Sequence, residues 1–192
     1  MNKNLLETIK IIDGKIQNLS YHQARYENSL HTLNKEARYH LQELIVPPTK
    51  GIYRCRVIYN EDDVTVSYHP YTFHEVTSLK LIHNDNINYS LKYENREYLD
   101  LLFEQREGCD DIVIVKNGYI TDTSKANLAF FDGSKWYTPA SPLLYGTTRA
   151  RYLDEGKIFE KQISADEMQE FANVAVLNAM VDFCIVKNGI IL

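Results

Sequence analysis

Cysteine is scarce in this chain: Cys55, Cys109 and Cys184 are an odd number, far apart, each in or beside an apolar run. They build neither a CxxC metal motif nor a disulfide framework, so three buried free thiols in a reducing compartment are expected. The six histidines lack HExxH or HxxxH spacing, and no metal site is indicated. Dense Lys/Arg runs are missing and the formal net charge is −5, which removes any general pull toward nucleic acid or an anionic membrane face. No stretch is apolar enough to span a bilayer, and the opening Met1-Asn2-Lys3-Asn4-Leu5-Leu6-Glu7 lacks a signal-peptide core; a cytoplasmic protein is expected. Internal repeats, low-complexity tracts, Walker A loops and dinucleotide fingerprints are also missing.

What is present is ordinary globular material: 44% hydrophobic and 24% charged residues over 192 positions, enough for one domain or two small ones. Residues 8–12 and 15–19 read as strands around an Asp13-Gly14 turn. Ser20 then reads as an N-cap, after which Tyr26, Leu30, Leu33, Ala37, Leu41 and Leu44 recur at helical spacing as far as Pro47-Pro48, predicting one amphipathic helix. His22, Arg25 and Ser29 share a face of it. A shared polar face suits a site, yet most such stripes are the solvated side of a helix. Residues 51–59 and 64–68 predict a second hairpin about Asn60-Glu61-Asp62-Asp63. Arg54 and Arg56 fall on one face of its first strand; they suit a carboxylate if that face lines a cleft, and a solvated sheet face accounts for them equally well.

Residues 78–82 open a new element, and the junction between an N-terminal unit (1–85) and a C-terminal one (86–192) is placed between Pro70 and Asn88. Residues 95–106 predict a helix ending at Gly108, with Lys92 at its mouth. A lysine there is ordinarily a surface residue; chemical use requires enclosure or covalent linkage. Residues 111–115 and 119–121, joined through Lys116-Asn117-Gly118, predict a hairpin whose first strand is buried on both faces. The chain then breaks at Asp122-Thr123-Ser124, resumes at 127–131, and turns at Asp132-Gly133 into 136–138, a compact antiparallel sheet interrupted at Asp122. Pro139 and Pro142 bracket a loop to Gly146-Thr147-Thr148-Arg149, a helix start that offers N–H groups and hydroxyls to a phosphate, as an ordinary cap also would. Ser164-Ala165-Asp166-Glu167 matches a capping box. A strand at 173–177 ends in Asn178-Ala179-Met180, and 184–186 with 190–192 predict a final hairpin.

Seven segments, in this order, resemble the motifs of the class IV aminotransferases, the fold-type IV enzymes of pyridoxal 5′-phosphate (PLP). They are Leu6-Glu7-Thr8-Ile9 with His22-Gln23-Ala24-Arg25-Tyr26, Leu91-Lys92-Tyr93-Glu94-Asn95-Arg96, Thr121-Asp122-Thr123-Ser124-Lys125-Ala126-Asn127-Leu128, Thr138-Pro139, Gly146-Thr147-Thr148-Arg149 and Leu177-Asn178-Ala179-Met180. The resemblance implies an α+β fold of two small subdomains, N-terminal hairpins plus a helix and a C-terminal antiparallel, barrel-like sheet with helices, with a cofactor cleft between them. It implies that Lys92 is the Schiff-base lysine and the general base and acid, and that Asp122, where the family usually has Glu, holds the pyridine nitrogen. Arg25, Asn127, Gly146, Thr147, Thr148 and Ala179 would contact the cofactor; Arg54, Arg56, Arg96 and Asn178 would lie near substrate. The lysine segment is nearest in form to the deoxychorismate lyases. That implies conversion of 4-amino-4-deoxychorismate to 4-aminobenzoate and pyruvate, a step of folate biosynthesis. The alternatives are an aminotransferase for branched-chain or D-amino acids and a non-catalytic PLP-binding member. A homodimer acting on a small-molecule amine is implied throughout.

Overall fold

Alternation along the first strand sets up the first sheet. In β1 (Leu5–Ile12), Leu5, Glu7, Ile9 and Ile11 are buried, while Thr8, Lys10 and Ile12 on the other face are partly exposed. The computed structural model describes residues 4–191, so Met1-Asn2-Lys3, and Leu192 of the predicted last hairpin, lie outside the described residues. The chain divides into two compact units; one ends at Phe73 and takes back Leu91–Asn95, the other holds His74–Ser90 and everything described from Arg96 onward.

In the first unit, β1 turns through Asp13 and Gly14, both at positive φ, into β2 (Lys15–Ile16), the backbone that a two-residue Asp-Gly hairpin requires. Then come α1 (Leu19–Thr32), α2 (Leu41–Leu44), β3 (Ile52–Tyr59) and β4 (Val64–Pro70), giving the antiparallel order β2-β1-β3-β4. Leu5, Ile9, Ile11, Cys55, Val57 and Tyr59 pack against Tyr26 and Leu30 of α1 and against Leu41 and Ile45. The single long helix predicted here is in fact two. Asn34 adopts φ 56°, and the amides of Leu33, Asn34 and Lys35 fold back onto the carbonyls of Leu30 and His31, which closes α1. Leu41 and Leu44 keep the apolar spacing because α2 returns to the same core. Ser20 lies within the first turn, since the cap position is Asn18 at φ 51°.

The second unit contains β5 (Leu79–His83), α3 (Glu97–Phe103), β6 (Asp111–Lys116), β7 (Tyr119–Ile120), β8 (Asn127–Phe131), β9 (Trp136–Pro139), α4 (Thr147–Asp154), β10 (Phe159–Lys161), β11 (Asn173–Asn178), β12 (Asp182–Ile185) and β13 (Ile190–Ile191). Its sheets run β10-β9-β8-β11-β12 and β13-β5-β6-β7. β6 is buried on both faces as its sequence predicts: Val113 and Val115 join Leu79, Leu128, Phe130 and Val176, while Ile112 and Ile114 join Ile87, Leu99 and Leu102. The antiparallel expectation holds for β6–β7, β8–β9, β8–β11 and β11–β12, whereas β5–β6, β5–β13 and β9–β10 run parallel. Among the described residues the predicted last hairpin does not form. β12 pairs with β11, and hydrogen bonds from Asn188 N–H to Thr77 O and from Leu79 N–H to Gly189 O draw β13 into the other sheet. Among the described residues, no helix is long and apolar enough to cross a membrane.

Candidate active site

A carboxylate in an apolar alternation is the first anomaly. Glu7 occupies an inward position of β1 with no exposed surface, and three charge-assisted bonds meet it there. Arg25 Nε donates to Oε1 at 2.8 Å, Arg25 Nη2 to Oε2 at 2.6 Å, and His22 Nδ1 to Oε2 at 2.6 Å. The polar stripe of α1 is therefore not its solvated side; His22 and Ser29 are buried because the stripe packs on the strand that carries Glu7. Burial alone would raise the pKa of Glu7, but the Arg25 charge and the hydrogen bonds from His22 and Arg25 overcome it and hold the carboxyl at about 2. Burial lowers the pKa of His22 against the pull of Glu7, and the charges of Arg25 and Lys92 add to the lowering. The imidazole is accordingly neutral near neutral pH, with its proton on Nδ1 toward the carboxylate.

Lys92 belongs to this electrostatic neighbourhood. It lies in an extended segment laid along β1, where Leu6 N–H donates to Lys92 O at 2.8 Å and Glu94 N–H to Asn4 O at 2.9 Å. Those bonds keep it away from the helix mouth expected for it, because α3 starts only at Glu97 with Arg96 as cap. Arg54 and Arg56 are not brought to this cluster. They pair in register with Lys10 and Thr8 of β1 and with His69 and Ser67 of β4, so they occupy the sheet face opposite Glu7, Arg54 exposed and Arg56 half-buried.

The second unit gathers a different set. After β7 the chain stays paired with β6, Ile114 N–H donating to Asp122 O at 2.9 Å, and a tight loop brings Asp122 opposite Asn127. Asn127 Nδ2 donates to Asp122 Oδ1 at 2.7 Å and to Leu144 O at 2.8 Å, and Leu144 N–H donates to Asp122 Oδ2 at 2.8 Å. Burial pushes the Asp122 carboxyl up to about 7, against the lowering by the Leu144 and Asn127 hydrogen bonds. Gly146 follows directly: a Cβ built on it would stand 2.0 Å from Asn127 Oδ1, so only glycine fits here. It caps α4, whose first residues, Thr147 and Thr148, are buried, and whose leading amides have no acceptor within the helix. Arg149 is turned away into structure, Nη2 reaching Pro139 O at 2.9 Å and Glu160 at 2.6 Å.

Two more expected residues converge on the segment after Asp122. Arg96 Nη2 donates to Ser124 O at 2.9 Å, and Asn178 Nδ2 to Lys125 O at 3.4 Å. Asn178 Oδ1 also accepts the amides of Met180 and Val181, which fixes the turn that presents Ala179. Sequence reasoning assigned no role to Glu7, although an acid at an inward position between Leu5 and Ile9 was a legible signal. The Leu144 amide left none, being a backbone group. As a donor set, a buried carboxyl with raised proton affinity answers a protonated ring nitrogen, and a glycine-capped helix start answers a phosphate. The residues present thus fit PLP.

Comparison with known proteins agrees with this chemistry. Residues 4–188 match the family model for amino-transferase class IV. An uncharacterized protein of Haemophilus influenzae is 42% identical over 182 residues, covering 92% of this chain and 97% of its own length. A solved protein of Haemophilus somnus, provisionally assigned as a 4-amino-4-deoxychorismate lyase, is 36% identical with TM-score 0.88, covering 94% of this chain and 97% of its own. A solved Mesorhizobium loti protein, provisionally assigned as an amino-acid aminotransferase, is 22% identical with TM-score 0.85 over 98% and 99% of the two chains, a likeness of fold. The chain belongs to the amino-transferase class IV family, whose members are PLP-dependent enzymes.

Proposed function

We propose that this protein is a PLP-dependent lyase that converts 4-amino-4-deoxychorismate to 4-aminobenzoate and pyruvate. The observation that carries the cofactor chemistry is Asp122: a fully buried carboxyl, held by two N–H donors and raised to about 7, is most stable when a cationic ring N–H meets it. Bound PLP supplies an electron sink for the carbon that bears the substrate amine. Asp122 keeps the ring nitrogen protonated. Arg25 and the amides of Thr147 and Thr148 hold the phosphate, with Ala179 supplying a further amide. Lys92 Nζ takes the proton from the amino-bearing ring carbon, pyruvate leaves, and the ring becomes aromatic. Arg96 and Asn178 serve the substrate carboxylates.

Support for the lyase over a transaminase comes from the form of the lysine segment and from the 36% identical Haemophilus somnus relative. Purified protein is expected to take up PLP with a visible absorbance band that Lys92→Ala abolishes; an unchanged band removes Lys92 from its role. Pyruvate release from 4-amino-4-deoxychorismate then decides the reaction. Keto-acid formation from branched-chain or D-amino acids without pyruvate release would make it a transaminase, and retained cofactor without turnover a binding protein. The same reading has the enzyme acting as a homodimer, which sedimentation of the purified protein checks.

A further inference from the structure

We infer that Arg151 and Asp182 are positioning residues for the cofactor phosphate: their ion pair fixes the turn that presents Ala179 to the helix whose leading amides, at Thr147 and Thr148, meet the same phosphate. The inference rests on the reading of those amides as phosphate ligands. It starts from an anomaly at the end of β11. Asn178 pairs in register with Asp182, so residues 179–181 form the loop of a hairpin, and Asp182 closes that loop at φ 64°. Such a left-handed backbone favours glycine, and a loop of this length ordinarily closes on a residue of that conformation. What an acidic side chain does there is shown by what it reaches: Asp182 Oδ1 accepts from Nη2 of Arg151.

Arg151 lies on α4 about one turn after Thr147 and Thr148 and on the same side of the helix. Its Nη1 donates to Glu155 Oε1 at 3.1 Å, and its guanidinium lies over the Tyr152 ring at 4.6 Å, so the side chain is braced along α4 while Nη2 reaches the turn. The next residue of each element repeats the contact, the Tyr152 and Phe183 rings stacking with centroids 5.4 Å apart. α4 and the start of β12 are thus joined at successive residues, first by charge and then by ring contact. At the other end of the loop, Asn178 Oδ1 accepts the amides of Met180 and Val181. Held at Asn178 and at Asp182, the loop keeps the Ala179 amide fixed relative to α4, and one unit carries both parts of the phosphate cradle. Because Asp182 is more than half exposed, its ion pair contributes little to stability, and its consequence is geometric.

Two effects of Asp182 on an incoming phosphate oppose each other. By Coulomb attraction alone, Asp182→Gly leaves more positive surroundings and tightens a phosphorylated ligand. By positioning, it frees the turn and loosens that ligand. The experiment measures dissociation constants of PLP and of pyridoxal, which lacks the phosphate, for the wild-type protein, Asp182→Gly, Arg151→Met, their double variant and Thr147→Pro. Asp182→Gly is expected to weaken PLP about tenfold, the scale on which a partner behind a ligating group tunes a site, and to leave pyridoxal nearly unchanged. Its thermal unfolding is expected close to wild type, since glycine relieves the left-handed backbone. Asp182→Asn drops the charge, is expected to lose part of the preference, and carries the test if Asp182→Gly does not fold. Arg151→Met is expected to lose the preference for PLP, and the double variant no more than Arg151→Met alone, as for two residues acting through one contact. Thr147→Pro deletes one cradle amide at a helix position that tolerates proline, and so reports on the underlying reading. If Thr147→Pro loses the preference while a folded Asp182 variant keeps it or binds PLP more tightly, or if the two losses add in the double variant, the inference is overturned and the cradle reading stands. If Thr147→Pro keeps the preference, or the wild-type protein has none, the cradle reading fails and takes the inference with it.

Discussion

Glu7 is buried beside two basic side chains, and Asp122 is buried beside amides, so the two carboxyls depart from ordinary values in opposite directions. Glu7 falls from 4.5 to about 2 on folding; its stabilisation is complete above the unfolded value and is lost as pH falls from 4.5 through 2, on the order of 3 kcal/mol. His22, lowered from 6.5, acts in the same sense, because the unfolded chain takes up its proton more readily as pH drops. Asp122 rises from 3.8 to about 7; its protonated form suits the fold, and on the order of 4 kcal/mol present below 3.8 is lost as pH rises through 7. Urea unfolding of the cofactor-free protein across pH should therefore show Asp122→Asn gaining stability relative to wild type near pH 8 and not near pH 4. Equal effects at both ends would contradict the raised carboxyl. Glu7→Gln should flatten the acid limb of the wild-type profile, and an acid limb of wild-type slope in that variant would show that Glu7 is not its source.

At the scale of elements, the start of α4 has the least tolerance. Gly146→Ala places a methyl 2.0 Å from Asn127 Oδ1, and Asn127 cannot swing aside without releasing Asp122 and the Leu144 carbonyl. A loss of about 1–3 kcal/mol by crowding is expected, together with weaker PLP binding, read by thermal unfolding and cofactor titration. Ser164 is a milder case. Its N–H and Oγ both donate to Glu167 Oε2 at 2.9 Å, and Glu167 N–H returns to Ser164 Oγ at 3.2 Å, the reciprocal box predicted from four residues of sequence. The segment it opens is a short 3₁₀ helix, Asp166–Glu170. Ser164→Ala should cost about 1 kcal/mol and lower Tm by roughly 2–4 °C, with cofactor binding unchanged. The contrast between box and helix α1 is instructive. The box is written in neighbours three residues apart; the end of α1 depends on Asn34 turning left-handed, which apolar spacing through Leu41 and Leu44 concealed.

For the molecule as a whole, the three cysteines report on integrity. All are free and buried, and burial pushes the Cys55 thiol up to about 12. A chromogenic thiol reagent should find none in native buffer and three in denaturant; prompt reaction of one in the native protein would show that its unit opens readily. The sequence by itself determined the tight turns at Asp13-Gly14 and Asn117-Gly118, the doubly buried β6, the capping box and the ordered run of motifs. Each of those is carried by residues within a few positions of one another, where dihedral preference and alternation act directly. Only the tertiary structure decided the rest. It brought Glu7 to His22 and Arg25, fifteen and eighteen residues away, gave Asp122 an amide twenty-two residues downstream, and ran β5, β6 and β13 parallel. Such pairings are settled by which buried groups can satisfy one another once the chain is packed, and that requirement has no period along the sequence.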